Sequence, residues 1–360
     1  MIPIADPELG AREKERVEAV IDSGQLADGP EVRAFEAEFA EFCGAAHGVA
    51  TTNGTTALHT ACEALGLGPG DTVVTTPFSM VASANAIRLA GADVAFADID
   101  PRTYNLDPHA VEEVVRERDV DALMPVHLYG LPAAMDHLRD IANEHDLLLI
   151  EDAAQAHGAE FDGERVGTFG DAACFSFYPT KNMTTGEGGM VVTDDEAVAD
   201  RAASFANHGR DPDGDTYEHH GVGQNYRMTS VLAAIGRVQL DRLPEYNKAR
   251  RANATRLTEE LPDDLTTPVE PSNRKHVYHQ YTVRSEDRDA LEARLDAADI
   301  GSGIYYPIPI HEQPAYSGVE RSLPVAERAS DEVLSLPVHP NLSPSDLTDI
   351  VNAIAPEVVG

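Results

Sequence analysis

Apolar residues in this chain gather in short runs that alternate with longer amphipathic stretches, and the alternation predicts the architecture. Runs at 49–52, 73–76, 93–98, 121–126 and 147–151 are short and bounded by polar or turn residues, as buried strands are. Between them the spacing predicts helices over 53–65, 79–90, 107–117 and 134–145. Repeated strand–helix units imply a mainly parallel sheet with helices on both faces, an α/β fold. Two helices precede the first strand. One covers 7–22, with Asp6-Pro7 as cap and first-turn pair; the other covers 31–42 and puts Val32, Phe35 and Phe39 on one face.

Further on, strands are predicted at 172–178 and 190–193 and a helix at 194–206, followed by a loop-like stretch to Gly223. A helix over 229–240 is interrupted at Pro244 and a second, Arg-rich helix runs over 246–261. Pro262 and Pro268 mark a composition break. The expected division is a large domain over 1–245, with its N-terminal helical segment, and a smaller C-terminal α/β domain over 246–360. The latter is read as strand 277–284, helix 286–298, strand 302–306 and helices 324–335 and 345–355.

Composition narrows the class. Of 360 residues, 42% are hydrophobic, enough for a sizeable core, yet no apolar run reaches the roughly 18 residues of a membrane span. The start, MIPIADPELGAREKE, lacks the basic and apolar regions of a signal peptide, so the cytoplasm is expected. Cys43, Cys62 and Cys174 are odd in number, form no C-x-x-C pair and read as core side chains. His208, His219 and His220 show no ligand-like repeat, so no metal is expected. The formal charge of −35 argues against nucleic acid as a partner and points to a salt-loving host, where high salt screens self-repulsion.

Candidate chemistry concentrates in Leu147–Val192. The apolar run Leu147–Ile150 ends at Glu151-Asp152, so Asp152 sits at the carboxyl end of a strand, where open α/β sheets bind ligands. Lys181 follows 29 residues later, after the run 172–178, and precedes the glycines of GEGG. An amine that can form a Schiff base and a carboxylate that can keep a pyridine nitrogen protonated are the two groups pyridoxal phosphate chemistry requires. A surface lysine and a helix-capping aspartate are the plainer alternative. Asn53-Gly54-Thr55-Thr56 opens a helix and serves either as an N-cap or as a phosphate seat.

The strings EDAAQAHGA, FSFYPTKN and GEGGMVVT, in this order and spacing, resemble the DegT/DnrJ/EryC1/StrS family of fold-type I pyridoxal phosphate enzymes, the sugar aminotransferases. The FEAEFA helix, the Gly223–Met228 segment GQNYRM, Tyr305–His311 and Leu323–Pro340 extend the resemblance over nearly the whole chain. It implies pyridoxal 5′-phosphate bound to Lys181, with Asp152 on the ring nitrogen and Gln155 reaching the phenolic oxygen. Gly54, Thr55 and Ser176 would hold the phosphate, and Asn225 would reach the phosphate of the partner subunit's cofactor in a homodimer. Met80 stands where relatives carry a ring-stacking aromatic, leaving the choice between Met80 and Phe78 open. Arg227 is a candidate for the donor carboxylate or a sugar phosphate, and Tyr306 and His311 for the sugar side. His127 reads as a structural histidine more readily than as a cleft residue.

The implied reaction moves an amino group, with glutamate the usual donor, onto a nucleotide-linked keto-sugar. Dehydratase relatives carry a histidine in place of Lys181. Cyclitol aminotransferases keep the lysine, and a non-catalytic pyridoxal phosphate binder is a further alternative. A nicotinamide dehydrogenase would need G-x-G-x-x-G after the first strand, which Asn53–Thr56 lacks.

Overall fold

A computed structural model describes residues 1–211, 217–319 and 321–355. Helices α1 (Ala11–Ser23) and α2 (Pro30–Cys43) lead into β1 (His47–Thr51). Then follow α3 (Gly54–Ala64), β2 (Thr72–Thr75), α4 (Ala82–Ala90), β3 (Asp93–Phe96), α5 (Pro108–Glu117), β4 (Ala122–Met124), α6 (Met135–His145) and β5 (Leu148–Asp152). A small hairpin, β6 (Glu160–Phe161) and β7 (Glu164–Arg165), precedes β8 (Ala172–Ser176), β9 (Gly189–Thr193) and α7 (Glu196–Ala206). The long α8 (Ser230–Glu260) leads to β10 (Arg274–Lys275), β11 (Tyr281–Arg284), α9 (Arg288–Ala297), α10 (Pro324–Glu332), β12 (Val333–Leu336) and α11 (Pro344–Ile354).

Seven strands form one sheet in the order β1-β9-β8-β5-β4-β2-β3. The pairs from β8 to β3 are parallel, and β9 runs antiparallel to both β1 and β8. Apolar layers cover both faces, so β8 and β9 are buried at every position and read as continuous apolar runs rather than alternating ones. Register sets the site. Asp152 pairs with Cys174, while Gly189 pairs with both Ser176 and Thr51, so four strand ends meet at one end of the sheet.

Five expectations need correction. The first helix begins at Ala11, not residue 7, because the Glu13 carboxylate accepts the Gly10 N–H at 2.8 Å and closes the turn there. Pro244 does not interrupt α8, which continues through it with buried side chains on either side, Leu240, Leu243, Asn247 and Arg250 among them. Only Tyr281–Arg284 of the expected strand 277–284 is a strand, and 302–306 offers a single bridge, Gly303 to Ser335. The helix expected to reach 335 stops at Glu332 and yields β12, which pairs antiparallel with β11. Residues 212–216 of the loop-like stretch lie outside the described residues. All three cysteines are free and buried, and among the described residues no helix is long and apolar enough to cross a membrane.

Candidate functional site

The N-terminus of α3 forms one wall. Asn53 does cap it: its Oδ1 accepts the Thr56 N–H at 2.9 Å, and Thr56 Oγ1 accepts the Asn53 N–H at 3.1 Å. The capping leaves the Gly54 and Thr55 N–H groups without a protein partner among the described residues, aimed outward at the positive end of the helix dipole. Ser176, at the end of β8, closes in beside them. A Cβ on Gly54 would lie 2.7 Å from Ser176 Cβ, so only glycine permits this approach. The Ser176 hydroxyl also lacks a protein partner among the described residues, and the result is a cradle of unused donors.

Asp152 stands at the end of β5, the strand beside β8. It is buried, its Oδ2 accepts the Ser83 hydroxyl at 2.7 Å and its Oδ1 accepts the Ala154 N–H at 3.2 Å. Burial raises its pKa above the ordinary carboxylate value, opposed by the Ser83 and Ala154 hydrogen bonds and by the charge of Lys181. Lys181 stands in the turn after β8, its backbone N–H bonded to the Tyr178 carbonyl at 2.9 Å. Its amine makes no hydrogen bond or ion pair with the described residues, and desolvation brings its pKa down to about 8 against the pull of Asp152. The amine and the carboxylate thus lie near enough to feel each other's charge without touching.

Gln155 is already engaged. Its Oε1 accepts the Tyr129 N–H at 2.8 Å, and its Nε2 donates to the Tyr306 hydroxyl at 3.2 Å, leaving one amide hydrogen free. Desolvation, followed by the nearby Asp152 charge, pushes the Tyr306 phenol well up. Met80 and Phe78 part company: Met80 is 52% exposed, whereas Phe78 is fully buried among core side chains, with Tyr306 edge-on at 6.2 Å. Between these two, Met80 is the side chain with an open face.

The remaining candidates lie farther out. Asn225 is exposed and bridges Asn207 through its backbone. Arg227 pairs with Thr51 of β1 through its backbone, and its guanidinium donates to Asn207 Oδ1 at 2.7 Å. His311 turns toward α10, where its Nε2 lies 3.3 Å from Glu327 Oε1, and it packs on Phe96. His127 is structural. Its Nδ1 accepts the Ala133 N–H at 3.0 Å, so Nε2 carries the proton and donates to Glu151 at 2.9 Å. Glu151 also accepts the N–H groups of Gly167, Phe169 and Gly170.

Three contributors went unread in the sequence. Ser83 reaches Asp152, and its only signal is a polar residue on the inward face of a helix. Asn182, next to Lys181, donates to Asn247 Oδ1 at 2.8 Å and to the Val277 carbonyl at 3.0 Å, tying the lysine turn to α8. His157 lies buried among Phe39, Phe175 and Phe177, where desolvation brings its pKa down to about 3 and keeps it neutral.

Comparison with known proteins adds to this geometry. The model of the DegT/DnrJ/EryC1/StrS aminotransferase family matches residues 7–355. A pleiotropic regulatory protein of Geobacillus stearothermophilus is 43% identical over 347 residues, 94% of this chain and 92% of that protein. The UDP-N-acetyl-3-dehydro-alpha-D-glucosamine 3-aminotransferase of Acidithiobacillus ferrooxidans is 41% identical over 338 residues, 93% of this chain and 90% of that one. The crystal structure of a DegT DnrJ EryC1 StrS aminotransferase from Brucella abortus matches with a TM-score of 0.91 at 36% identity, covering 95% of this chain and 94% of that chain.

Proposed function

The chain belongs to the DegT/DnrJ/EryC1/StrS aminotransferase family, and from that premise we propose that it transfers an amino group from glutamate to a nucleotide-linked keto-sugar in amino-sugar biosynthesis. It is a pyridoxal phosphate-dependent aminotransferase. The residues fit the cofactor on one observation above the others. Four donors, the Gly54 and Thr55 N–H groups, the Ser176 hydroxyl and the Lys181 amine, stand unused beside a buried carboxylate.

In this reading Gly54, Thr55 and Ser176 hold the phosphate at the N-terminus of α3, as helix N-termini hold anions. Lys181 would be the residue that holds the cofactor through its amine, Asp152 would keep a proton on the ring nitrogen, and Met80 would offer its open face to the ring. When bound, the cofactor supplies an electron sink for the pair left on a carbon that loses its proton. The Lys181 amine, when free, would take up that proton as base and return it as acid. A pKa of about 8 leaves enough neutral amine near neutral pH for both roles. The free amide hydrogen of Gln155 serves the ring's phenolic oxygen. Arg227 would take the donor's carboxylate or a sugar phosphate and Tyr306 would face the sugar; His311, turned toward Glu327 of α10, would serve the sugar side only by leaving that contact. Donor and acceptor use the cleft in turn, so the kinetics are ping-pong.

The functional unit in this proposal is a homodimer in which Asn225 serves the partner's site. Its exposed amide supports this, as do the exposed apolar side chains Met80, Tyr178, Val222 and Ile308 on segments that carry site residues. The division of the chain near residue 245 is kept as a proposal. A separate apolar cluster drawn mainly from residues 254–354 supports it, although α8 spans the boundary. The working compartment is the cytoplasm of a salt-loving cell, a reading supported by the charge of −35.

The test is a screen of the purified enzyme, in high salt with glutamate and pyridoxal phosphate, against UDP-, GDP- and dTDP-linked keto-sugars by mass spectrometry. One amino-sugar product that disappears in Lys181→Ala is expected. The similarity to a pleiotropic regulatory protein of Geobacillus stearothermophilus makes a cofactor-binding protein without turnover the second reading. Cofactor colour that glutamate does not discharge would favour it, and protein that stays colourless with added cofactor would overturn both.

A further inference from the structure

Asp152 is a buried carboxylate that no cation touches: among the described residues it forms no ion pair, and its bonds are those from Ser83 and Ala154. The backbone bond, at 3.2 Å, comes from the next turn of chain. The 2.7 Å bond comes from a different element, the first turn of α4, and from a side chain that is itself fully buried. A serine in a helix ordinarily returns its hydroxyl to the carbonyl three or four residues back. Here that carbonyl, on Met80, lies 3.3 Å from Ser83 Oγ, and the Ser79 hydroxyl lies 3.4 Å away. Serine has one proton to give. The shorter distance and the ionic acceptor both assign it to Asp152, leaving the Ser83 lone pairs for Ser79.

We propose that Ser83 is a positioning residue for the reaction: its hydroxyl fixes one oxygen of Asp152, keeps the carboxylate ionised, and turns the other oxygen toward the ring nitrogen of the cofactor. This rests on the reading of Asp152 as the group beneath that nitrogen. Burial alone drives Asp152 toward its neutral form, which offers no anion to a protonated ring. The groups facing Asp152 with charge or protons are Lys181, His127, Tyr306 and Cys174, on four other segments. Of these, Lys181 and Tyr306 are taken up with the cofactor and the sugar in this reading, whereas Ser83 reaches Asp152 from α4. Ser83 therefore holds the ionised state from beneath, without occupying space the ring needs. The same turn of chain delivers Met80 to the cleft, so ring contact and anion support arrive on one rigid piece.

Ser83→Thr and Ser83→Val have the same shape and differ by the hydroxyl, so the pair isolates the hydrogen bond from packing. The first readout is the melting temperature of the cofactor-free protein against pH. The folded pKa of Asp152 lies above its unfolded value, so ionising it costs stability as pH climbs, and losing the hydroxyl enlarges that cost only where Asp152 is charged. The Val variant should therefore melt about 2 °C or more below the Thr variant at pH 8, a gap that shrinks toward pH 5. The second readout is on the loaded enzyme, where Val against Thr should weaken cofactor binding and lower kcat about tenfold or more with little change in KM, the mark of a group acting through another. If threonine overpacks the site, Ser83→Ala against the unsubstituted protein carries the same comparison. A stability gap independent of pH, or Val and Thr variants of equal kcat, overturns the role of Ser83 and leaves the aminotransferase reading standing. Turnover that survives Asp152→Asn would instead remove Asp152 itself.

Discussion

At the scale of single residues, the site depends on positions where a side chain is missing as much as on those where one is present. Gly54 lets Ser176 close on the start of α3, and a Cβ there would sit 2.7 Å from Ser176 Cβ and 3.1 Å from its Oγ. Gly54→Ala should therefore push the serine out of the cradle. The expected loss is about 1–3 kcal/mol of stability from overpacking and about tenfold or more in pyridoxal phosphate affinity, since two of the donors proposed for the phosphate would move apart. Denaturant melts with and without cofactor separate the two effects, and an unchanged cofactor affinity would remove the phosphate from this seat. Much at this scale was legible in sequence. Asp152 is announced by an apolar run ending in a carboxylate, and Lys181 and Ser176 by the string around them. Ser83 was not, because what makes it matter is a partner 69 positions away, and a serine in an apolar helix carries no mark of which way its hydroxyl turns.

At the scale of elements, the strand–helix alternation was readable because a sheet buried on both faces needs apolar runs and its crossovers need amphipathic ones. The errors fall where local and tertiary preferences disagree. Proline removes the N–H that would reach back to residue 240 and crowds that carbonyl, which is why Pro244 reads as a break. The helix continues because Leu240, Leu243, Asn247 and Arg250 bury one face across it, and Asn247 and Arg250 bind carbonyls of other segments. Tertiary packing outweighs the local penalty. Pro244 is exposed, so Pro244→Ala should restore the missing bond without disturbing the core. A gain of about 1–3 kcal/mol is expected, read as a higher denaturant midpoint with an unchanged slope. A lower midpoint would mean that α8 needs the distortion proline provides. Strand β12 was missed for a related reason: Val333–Leu336 continues an apolar helical pattern, and only pairing with β11 makes it a strand.

At the scale of the whole molecule, electrostatics rather than packing sets the working conditions. The chain carries 62 acidic side chains and 27 lysines and arginines, so even perfect pairing leaves 35 carboxylates unmatched. The arginines are spread thin: Arg237 bonds both Glu31 and Glu38, and Arg242 reaches Glu8 at 2.9 Å and Glu13 at 3.5 Å. Salt acts on both populations. It weakens exposed ion pairs, each contributing about 0–1 kcal/mol, and it screens repulsion over every distance beyond a Debye length, which falls from about 8 Å at physiological ionic strength to about 3 Å at 1 M. Repulsion has more members and longer reach, so screening should win. The melting temperature at pH 8 is expected to climb steeply with KCl up to about 1 M, where the Debye length has shrunk to a contact distance. General salting-out of apolar surface would also raise it, but that effect does not depend on protein charge. Repeating the series as pH falls toward the sequence isoelectric point near 4.5 separates the two, because protonated carboxylates no longer repel. A slope that flattens as pH drops assigns the stabilisation to screening. An equal slope at both ends of the pH range would assign it to apolar burial, and a flat response at pH 8 would mean that the compact chain tolerates its charge unaided and needs no salt-rich cell.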